Sequence, residues 1–470
     1  MTSSPANLLF ITFDQLRGDW CNTKRPVINL PELTKLAEAG WTASRCYTSS
    51  PHCVPARFSW ITGMPPSRMG TTANKAIDIP CDAPSIIREL KSEGYQTNLV
   101  GKTHWTRHDI NCDLRRKEDV IKNLGFDYVV EIAGPRALQR VRCELTDDWE
   151  RAKVMDKYKE DLSDRYKYGL NKNAWTVRPS ILPVNLYPDC WITTKATERI
   201  KQLPEDKPWI IWVSYVGPHE PFDTPLPWSG QHKNIDLGNP IQCPEWIKRL
   251  DAKCELKKVK ERWDGLLQPL DIDVCRRDYA DHLKLLDDQV GILIREVENR
   301  VDFQRTAIAI SSDHGEMLGD MGMLYKGTFM EGAIKVPWIY KEPTIKNGRK
   351  QDAYNKPVEL TEVVKTTVKN LNSGGRVKQI QKECRRQKGR AIVEFKEERV
   401  FIDKYLKICV DKEGKFLWAV DLKTDPYEQR NILEGKDINL LRMLRLKIIM
   451  AWASQITKIR SKRRWIWRQL

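Results

Sequence analysis

The chain has 470 residues, of which 41% are hydrophobic, and carries a formal net charge of +16. That size and apolar content exclude a disordered tail or a short stapled module, and leave room for one large domain and a smaller one. Basic residues are interspersed with acids, as from Lys153 to Arg165, and no zinc-finger spacing, RNA-binding aromatic motif or heptad-linked basic region is present, so the charge reads as a solvated surface and nucleic acid is not the expected partner. The densest basic runs are Lys378 to Arg390 and Lys458 to Arg468.

The 12 cysteines form no C-x-x-C pair, so neither a zinc site nor a disulfide framework follows. Met1 to Ala6 lacks a basic leader region, and no stretch reaches the roughly 18 apolar residues of a membrane span. The cytoplasm is the expected compartment, with no membrane partner.

Leu8 to Phe13 predicts a buried strand that closes on Asp14 and Gln15. Leu30 to Ala39 follows as a helix, with Pro31 early and Gly40 as its stop. Pro55 then suits the first turn of a helix over the apolar run Phe58-Ser59-Trp60-Ile61, which puts Cys53 at a helix N-terminus. Unpaired N–H groups there favour anions, and Arg57 lies one turn on along the same face. The same residues alone equally describe a buried structural cysteine.

Pro84 to Lys91 begins a helix closed by Gly94, and Tyr95 to Val100 is a strand running into Lys102-Thr103-His104. Residues 111–188 are polar and weakly periodic, and read as an insertion covering a site. Trp191 to Leu203 is a helix, Pro208 to Tyr215 a strand ahead of Pro218-His219-Glu220, and Arg277 to Arg300 a long amphipathic helix. Thr306 to Ser311 is a strand ending near Asp313-His314. The alternation implies an α/β sheet buried on both faces, with ligands collecting beyond the carboxyl ends of its strands. Four polar clusters follow strands, which points to one shared site.

Beyond about residue 350 the pattern changes. Glu359 to Leu371 is helical. Ala391 to Phe395, Val400 to Val410 and Lys415 to Leu422 read as antiparallel strands, with Asp411 to Gly414 as a hairpin turn. Leu440 to Ala453 is a terminal helix before the basic tail. The expected organisation is a catalytic domain over residues 1–350 and a smaller domain over 351–470.

Cys53-Val54-Pro55-Ala56-Arg57 resembles the modification signature of the sulfatase family, in which a separate formylglycine-generating enzyme oxidises the cysteine to an aldehyde whose hydrate is the nucleophile. Gly101-Lys102-Thr103-His104-Trp105 is similar to the family's Lys-x-His element, Ser214 to Phe222 to its second His element, and Leu324-Tyr325-Lys326-Gly327 to the segment carrying a sulfate-binding lysine. Val420 to Asn431 resembles the family's tail motif. The matches follow family order from about residue 7 to about residue 432.

The resemblance implies an α/β, alkaline-phosphatase-like fold: a large mixed sheet flanked by helices, with a smaller C-terminal α+β domain. It implies a sulfuric ester hydrolase acting on a small-molecule or sugar sulfate ester. It also implies one divalent metal held by Asp14, Gln15, Asp313, His314 and the residue derived from Cys53. The Asp-Gln and Asp-His pairs resemble the branch containing choline sulfatase and the phosphonate monoester hydrolases. Calcium is the expected metal, and the nitrogen ligand leaves manganese or zinc open.

On the same resemblance, Arg57, Lys102 and Lys326 would stabilise substrate oxygens, His219 or Lys326 would protonate the departing alcohol, and His104 would draw the second hydroxyl proton. Asn74 would lie near the substrate with Lys102, His219 and Lys326. Many relatives have a histidine where Met321 stands. The Lys102–His104 pair, which phosphonate monoester hydrolases tend to lack, favours sulfate esters. A phosphonate monoester hydrolase or phosphodiesterase on the same scaffold remains an alternative, as does a nonenzymatic anion-binding protein with Cys53 unmodified. Trp105, Trp149, Trp175 and Trp228 are either stacking residues for a sugar or aryl group, or core and lid residues.

Overall fold

The computed structural model describes residues 4–21, 26–166, 176–343, 353–435 and 443–444. Trp175, the helix expected from Leu440 to Ala453 (all but two of its residues) and the basic tail lie outside them.

The strands and helices that place the site are β1 (Asn7–Phe13), α1 (Pro31–Ala39), β2 (Trp41–Thr42), α2 (Cys53–Thr62), α3 (Ile86–Ser92) and β3 (Gln96–Lys102). Then come β4 (Tyr128–Ile132), α4 (Pro188–Lys201), β5 (Trp209–Ser214), α5 (Pro269–Glu298), β6 (Thr306–Ser312) and β7 (Trp338–Lys341). They build a seven-stranded sheet in the order β2-β7-β6-β1-β5-β3-β4. The pairs from β6 through β4 are parallel, whereas β7 runs antiparallel to both β6 and β2. The sheet is therefore mixed, and helices flank it.

The continuous apolar run of β1 follows from burial on both faces. Leu9, Ile11 and Phe13 join a core with residues of α4 and α5, while Leu8 and Phe10 join residues of α2 and α3 on the other face. Successive strand side chains point to opposite faces, so a strand at the sheet's centre needs apolar residues at every position. At the end of β3, Gly101 takes φ +115°, and a Cβ there would collide with the Ser214 carbonyl on β5. This close approach of two backbones delivers Lys102 to the sheet's carboxyl edge.

Three sequence expectations shift. The long helix starts at Pro269, about two turns before Arg277, because exposed Leu270 interrupts the apolar stripe that would reveal those turns. Residues 111–188 do more than cover: they supply edge strand β4, and Leu114, Ile121 and Trp149 are buried in the cores. The stretch Val400 to Val410 is two strands rather than one, split at Lys404-Tyr405, with Lys404 at φ +54° and no glycine or asparagine to signal the turn.

Beyond residue 350 two more helices pack on the large sheet. Helices α6 (Leu360–Asn370) and α7 (Val377–Arg386) bury Val363, Val364, Val368 and Ile380 in the same core as Leu8, Phe10 and Trp212. Their apolar stripes thus close the large sheet. The basic run from Lys378 is largely the outer face of α7. A four-stranded antiparallel sheet follows, formed in chain order by β8 (Arg390–Phe395), β9 (Glu398–Asp403), β10 (Leu406–Val410) and β11 (Phe416–Asp421). No helix among the described residues is long and apolar enough to cross a membrane.

Candidate active site and metal centre

The carboxyl ends of β1, β3, β5 and β6 converge, as the four polar clusters suggested. Asp14 and Gln15 leave β1, Lys102 closes β3, Ser214 closes β5, and Asp313 and His314 leave β6. Cys53 is the first residue of α2. Asp14, Gln15, Cys53, Arg57, Lys102, His219, Asp313 and His314 are all buried.

Asp14, Cys53, Asp313 and His314 each turn one ligand atom to a common region, with those atoms within 4.8 Å of one another. His314 Nε2 lies 3.2 Å from Cys53 Sγ, 3.7 Å from Asp14 Oδ1 and 3.6 Å from Asp313 Oδ1. Its Nδ1 is 2.9 Å from the Gly315 carbonyl. A carbonyl only accepts, so Nδ1 carries the hydrogen and Nε2 is the nitrogen free to bind a cation. Two carboxylates, this imidazole and the nearby carboxamide of Gln15 make a donor set that fits one divalent cation.

Lys326 Nζ lies 3.2 Å from Cys53 Sγ, 2.7 Å from Gln15 Oε1 and 3.7 Å from Asp14 Oδ1. Burial works against its charge, but Cys53, Asp14 and Glu220 more than offset that, and the ammonium is held above its ordinary pKa. Burial also works against the Asp14 carboxylate, yet Lys102, Lys326, His219 and Arg57 hold it well below the usual carboxylate range. For Cys53, burial and Asp14 push the thiol up, while Lys326, His314 and Lys102 prevail and lower it. This corner therefore favours negative charge at residue 53.

Arg57 is engaged by carboxylates and strand ends around this cluster. Its Nε donates to Asp313 Oδ2 at 2.7 Å, Nη2 to Asp14 Oδ2 at 3.3 Å, and Nη1 to the Lys102 carbonyl at 2.7 Å and to Ser214 Oγ at 3.0 Å. The fork is consumed by the two ligand carboxylates and two strand ends. Lys102 Nζ is likewise paired with Asp14.

Asn74 sits at the start of α2, where its Oδ1 accepts from the Val54 N–H at 3.0 Å and relieves one of the helix's unpaired donors. His104 adopts φ +57° beside His108, with ring centroids 5.1 Å apart, and its Nδ1 is buried without a hydrogen-bond partner among the described residues. Burial, Lys102 and His108 lower its pKa well below the ordinary value. His219 Nδ1 lies 2.7 Å from the Glu220 carbonyl, and burial with Lys326 lowers its pKa too.

Met321 is buried at φ +56°. Trp105 is core, donating to the Arg57 carbonyl at 3.0 Å. Trp149 is fully buried, and half-buried Trp228 donates to Asp288 at 2.8 Å. These contacts give the three tryptophans structural roles.

Glu220 and Glu316 were not singled out from the sequence, yet both reach the Gln15 carboxamide. Their only signal was adjacency: Glu220 follows His219, and Glu316 stands two residues after His314. Ser214 gave no signal beyond closing a strand.

A family model described as Sulfatase matches residues 6–366. An arylsulfatase of Clostridium perfringens is 25% identical over 463 residues, covering 94% of each chain. A choline-sulfatase of Rhizobium meliloti is 26% identical over 366 residues, covering 74% of this chain and 65% of that one. Among solved structures, the phosphonate monoester hydrolase of Agrobacterium radiobacter superposes with a TM-score of 0.71 over 96% of each chain at 17% identity, which speaks for the shared fold.

Proposed function

Since the chain belongs to the sulfatase family and is a sulfuric ester hydrolase, we propose that it cleaves a small-molecule or sugar sulfate ester at residue 53, matured from cysteine to formylglycine by a formylglycine-generating enzyme. The observation that carries this reading is the convergence of Asp14, Cys53, Asp313 and His314 within 4.8 Å, with Lys326 at 3.2 Å from Cys53.

Hydrated, the aldehyde presents two hydroxyls where Sγ now lies, one to attack sulfur in line and one whose proton is later withdrawn so that sulfate leaves. Asp14, Gln15, Asp313 and His314 would hold a divalent cation, which would lower the hydroxyl pKa and offset charge on the sulfuryl oxygens. Calcium is the cation proposed first, and the His314 nitrogen also suits manganese or zinc.

The chain's own residues do the rest. Lys326, fixed beside residue 53 and held charged, binds a sulfuryl oxygen and donates a proton to the departing alcohol. His104, kept neutral by burial and by Lys102, is suited to accept the second hydroxyl proton. Arg57 and Lys102 act one step back: both help keep Asp14 ionised, and Arg57 also aims Asp313. His219 borders the same charged cluster, close enough for Lys326 and Asp14 to govern its protonation.

The test is turnover of matched substrates, an aryl sulfate against an aryl phosphonate monoester, by protein matured with the generating enzyme. A higher kcat/KM for the sulfate is expected. A preference for the phosphonate would move the chain to the phosphonate monoester hydrolase activity on the same fold.

A further inference from the structure

Among Asp14, Gln15, Asp313 and His314, Gln15 alone offers a carboxamide, and that carboxamide is gripped from both ends. Nε2 donates to Glu220 Oε2 at 3.1 Å and also to Glu316 Oε2, while Oε1 accepts from Lys326 Nζ at 2.7 Å. Gln15, Glu220 and Glu316 are all buried to within about one per cent.

Each carboxylate is itself anchored elsewhere. Glu220 Oε1 faces the Arg136 guanidinium at 3.4 Å. Glu316 Oε1 accepts from the Leu318 N–H at 3.0 Å and from the Tyr325 N–H. The Gln15 backbone is equally fixed: at φ +74°, its N–H donates to Asp313 Oδ1 at 3.1 Å, and its carbonyl accepts from the Tyr279 hydroxyl at 2.8 Å.

A carboxamide has one end that donates and one that accepts. Flipping it here would set Oε1 against two carboxylates and Nε2 against an ammonium. We propose that Glu220 and Glu316 form a carboxylate clamp that holds Gln15 with Oε1 turned to the cation centre, and that this clamp is what requires a carboxamide at position 15. The proposal rests on reading Asp14, Gln15, Asp313 and His314 as that centre. Glu220 and Glu316 are positioning residues: they act on the cation through Gln15. A carboxylate at position 15 would have no hydrogen to give the clamp and would set an acceptor against acceptors.

The experiment is calorimetric titration of the chelator-stripped full chain with Mn²⁺ and, separately, Ca²⁺. Loss of a partner that orients a ligand typically costs 10–100-fold in metal affinity, so Glu220→Gln and Glu316→Gln are each expected to weaken binding by about that factor. Gln15→Glu is expected to weaken it further. The combination of Gln15→Glu with Glu316→Gln is expected to recover most of that loss, because the new amide donates to the new carboxylate.

Such recovery cannot come from a variant that merely fails to fold. Unchanged affinity in both Glu→Gln variants overturns the clamp, as does tighter binding by Gln15→Glu or absence of recovery in the double variant. A wild-type chain that binds neither metal overturns the cation centre and the clamp together. Wild-type binding with indifferent variants overturns the clamp alone.

Discussion

Lys326 Nζ stands 3.2 Å from Cys53 Sγ although 273 positions separate the two residues. Lys326 is held charged by Cys53, Asp14 and Glu220. His219, the other candidate acid, is held neutral by burial and by Lys326, and its Nδ1 hydrogen is committed to the Glu220 carbonyl. A neutral imidazole bonded in this way has only a bare Nε2 left, which has no proton to give. Lys326→Ala is therefore expected to lower kcat by about 10²–10⁴-fold, with the larger loss on alkyl sulfates, whose leaving groups need a proton most. The readout is the slope of log kcat/KM against leaving-group pKa. A slope steepened by His219→Gln and not by Lys326→Ala would reverse the two roles.

Cys53→Ala should abolish turnover while costing about 1 kcal/mol of stability or less, because only a small side chain is lost at the start of a helix whose other contacts persist. Mass spectrometry of the wild-type peptide spanning residue 53, after co-expression with the generating enzyme, should show aldehyde. Retained thiol together with undiminished activity in the alanine variant would sink the nucleophile assignment.

Arg57→Lys tests the carboxylate-holding role. A lysine offers one point charge where the guanidinium spans Asp313, Asp14, the Lys102 carbonyl and Ser214. Part of a buried ion network would be left unpaired, and a loss of about 3 kcal/mol is expected in urea unfolding, along with loss of activity. Wild-type stability with a raised KM alone would instead return Arg57 to the substrate.

Asp278 gives the pH dependence a sign. Burial raises its pKa to about 7, its Oδ2 has no hydrogen-bond partner among the described residues, and Asp223 beside it is raised to about 6. Each is protonated in the fold at a pH where the unfolded chain has lost the proton, so stability falls as pH rises from about 4 to 7. His282 shares this pocket, and contact with Asp189 and proximity to Asp278 and Asp223 raise its pKa against burial. Its stabilisation is present below pH 6.5 and fades as pH rises through the raised value, which is the same sign. Asp281 also influences Asp278. Asp278→Asn keeps an acceptor for the Thr224 N–H, so it should flatten the profile and raise stability at pH 8 on the order of 2 kcal/mol. Denaturation at pH 5 and pH 8 checks this. An unchanged slope would show that Asp278 is already ionised.

Lys407 ties the small sheet to Glu331, which lies just ahead of β7. It is fully buried on β10, 3.2 Å from Glu331 and 2.5 Å from Glu428 of the tail motif, whose Oε2 accepts from the Glu331 N–H at 2.9 Å. Lys407→Met leaves the buried Glu428 carboxylate facing half-buried Glu331 without a cation, and should cost about 3 kcal/mol. Adding Glu428→Gln should return part of that loss. A single variant within about 1 kcal/mol of wild type would show that water reaches the pair.

Much of this molecule was legible along the chain. Strands β1, β3, β5 and β6 announce themselves as apolar runs because burial on both faces leaves no polar positions. The clusters that end them mark the carboxyl edge where ligands collect. The sequence misled where local pattern and global packing part. Exposed Leu270 hid two helical turns, and Lys404-Tyr405 made a hairpin without turn residues.

By itself the sequence pointed to the proposed ligand set and the proposed nucleophile, since Asp14, Gln15, Cys53, Asp313 and His314 stand out by type and by their place after strands or before a helix. Only the tertiary structure decided what each cation does. Arg57 and Lys102 carry the same charge as Lys326, but their charge is spent on Asp14 and Asp313, while Lys326 reaches the nucleophile. Only the tertiary structure, too, brought Glu220 and Glu316 to either side of the Gln15 amide. The physical reason is that residue type sets which bonds a side chain can make, whereas the partner that is close and dry enough to claim it is chosen by strands hundreds of residues apart meeting at one edge.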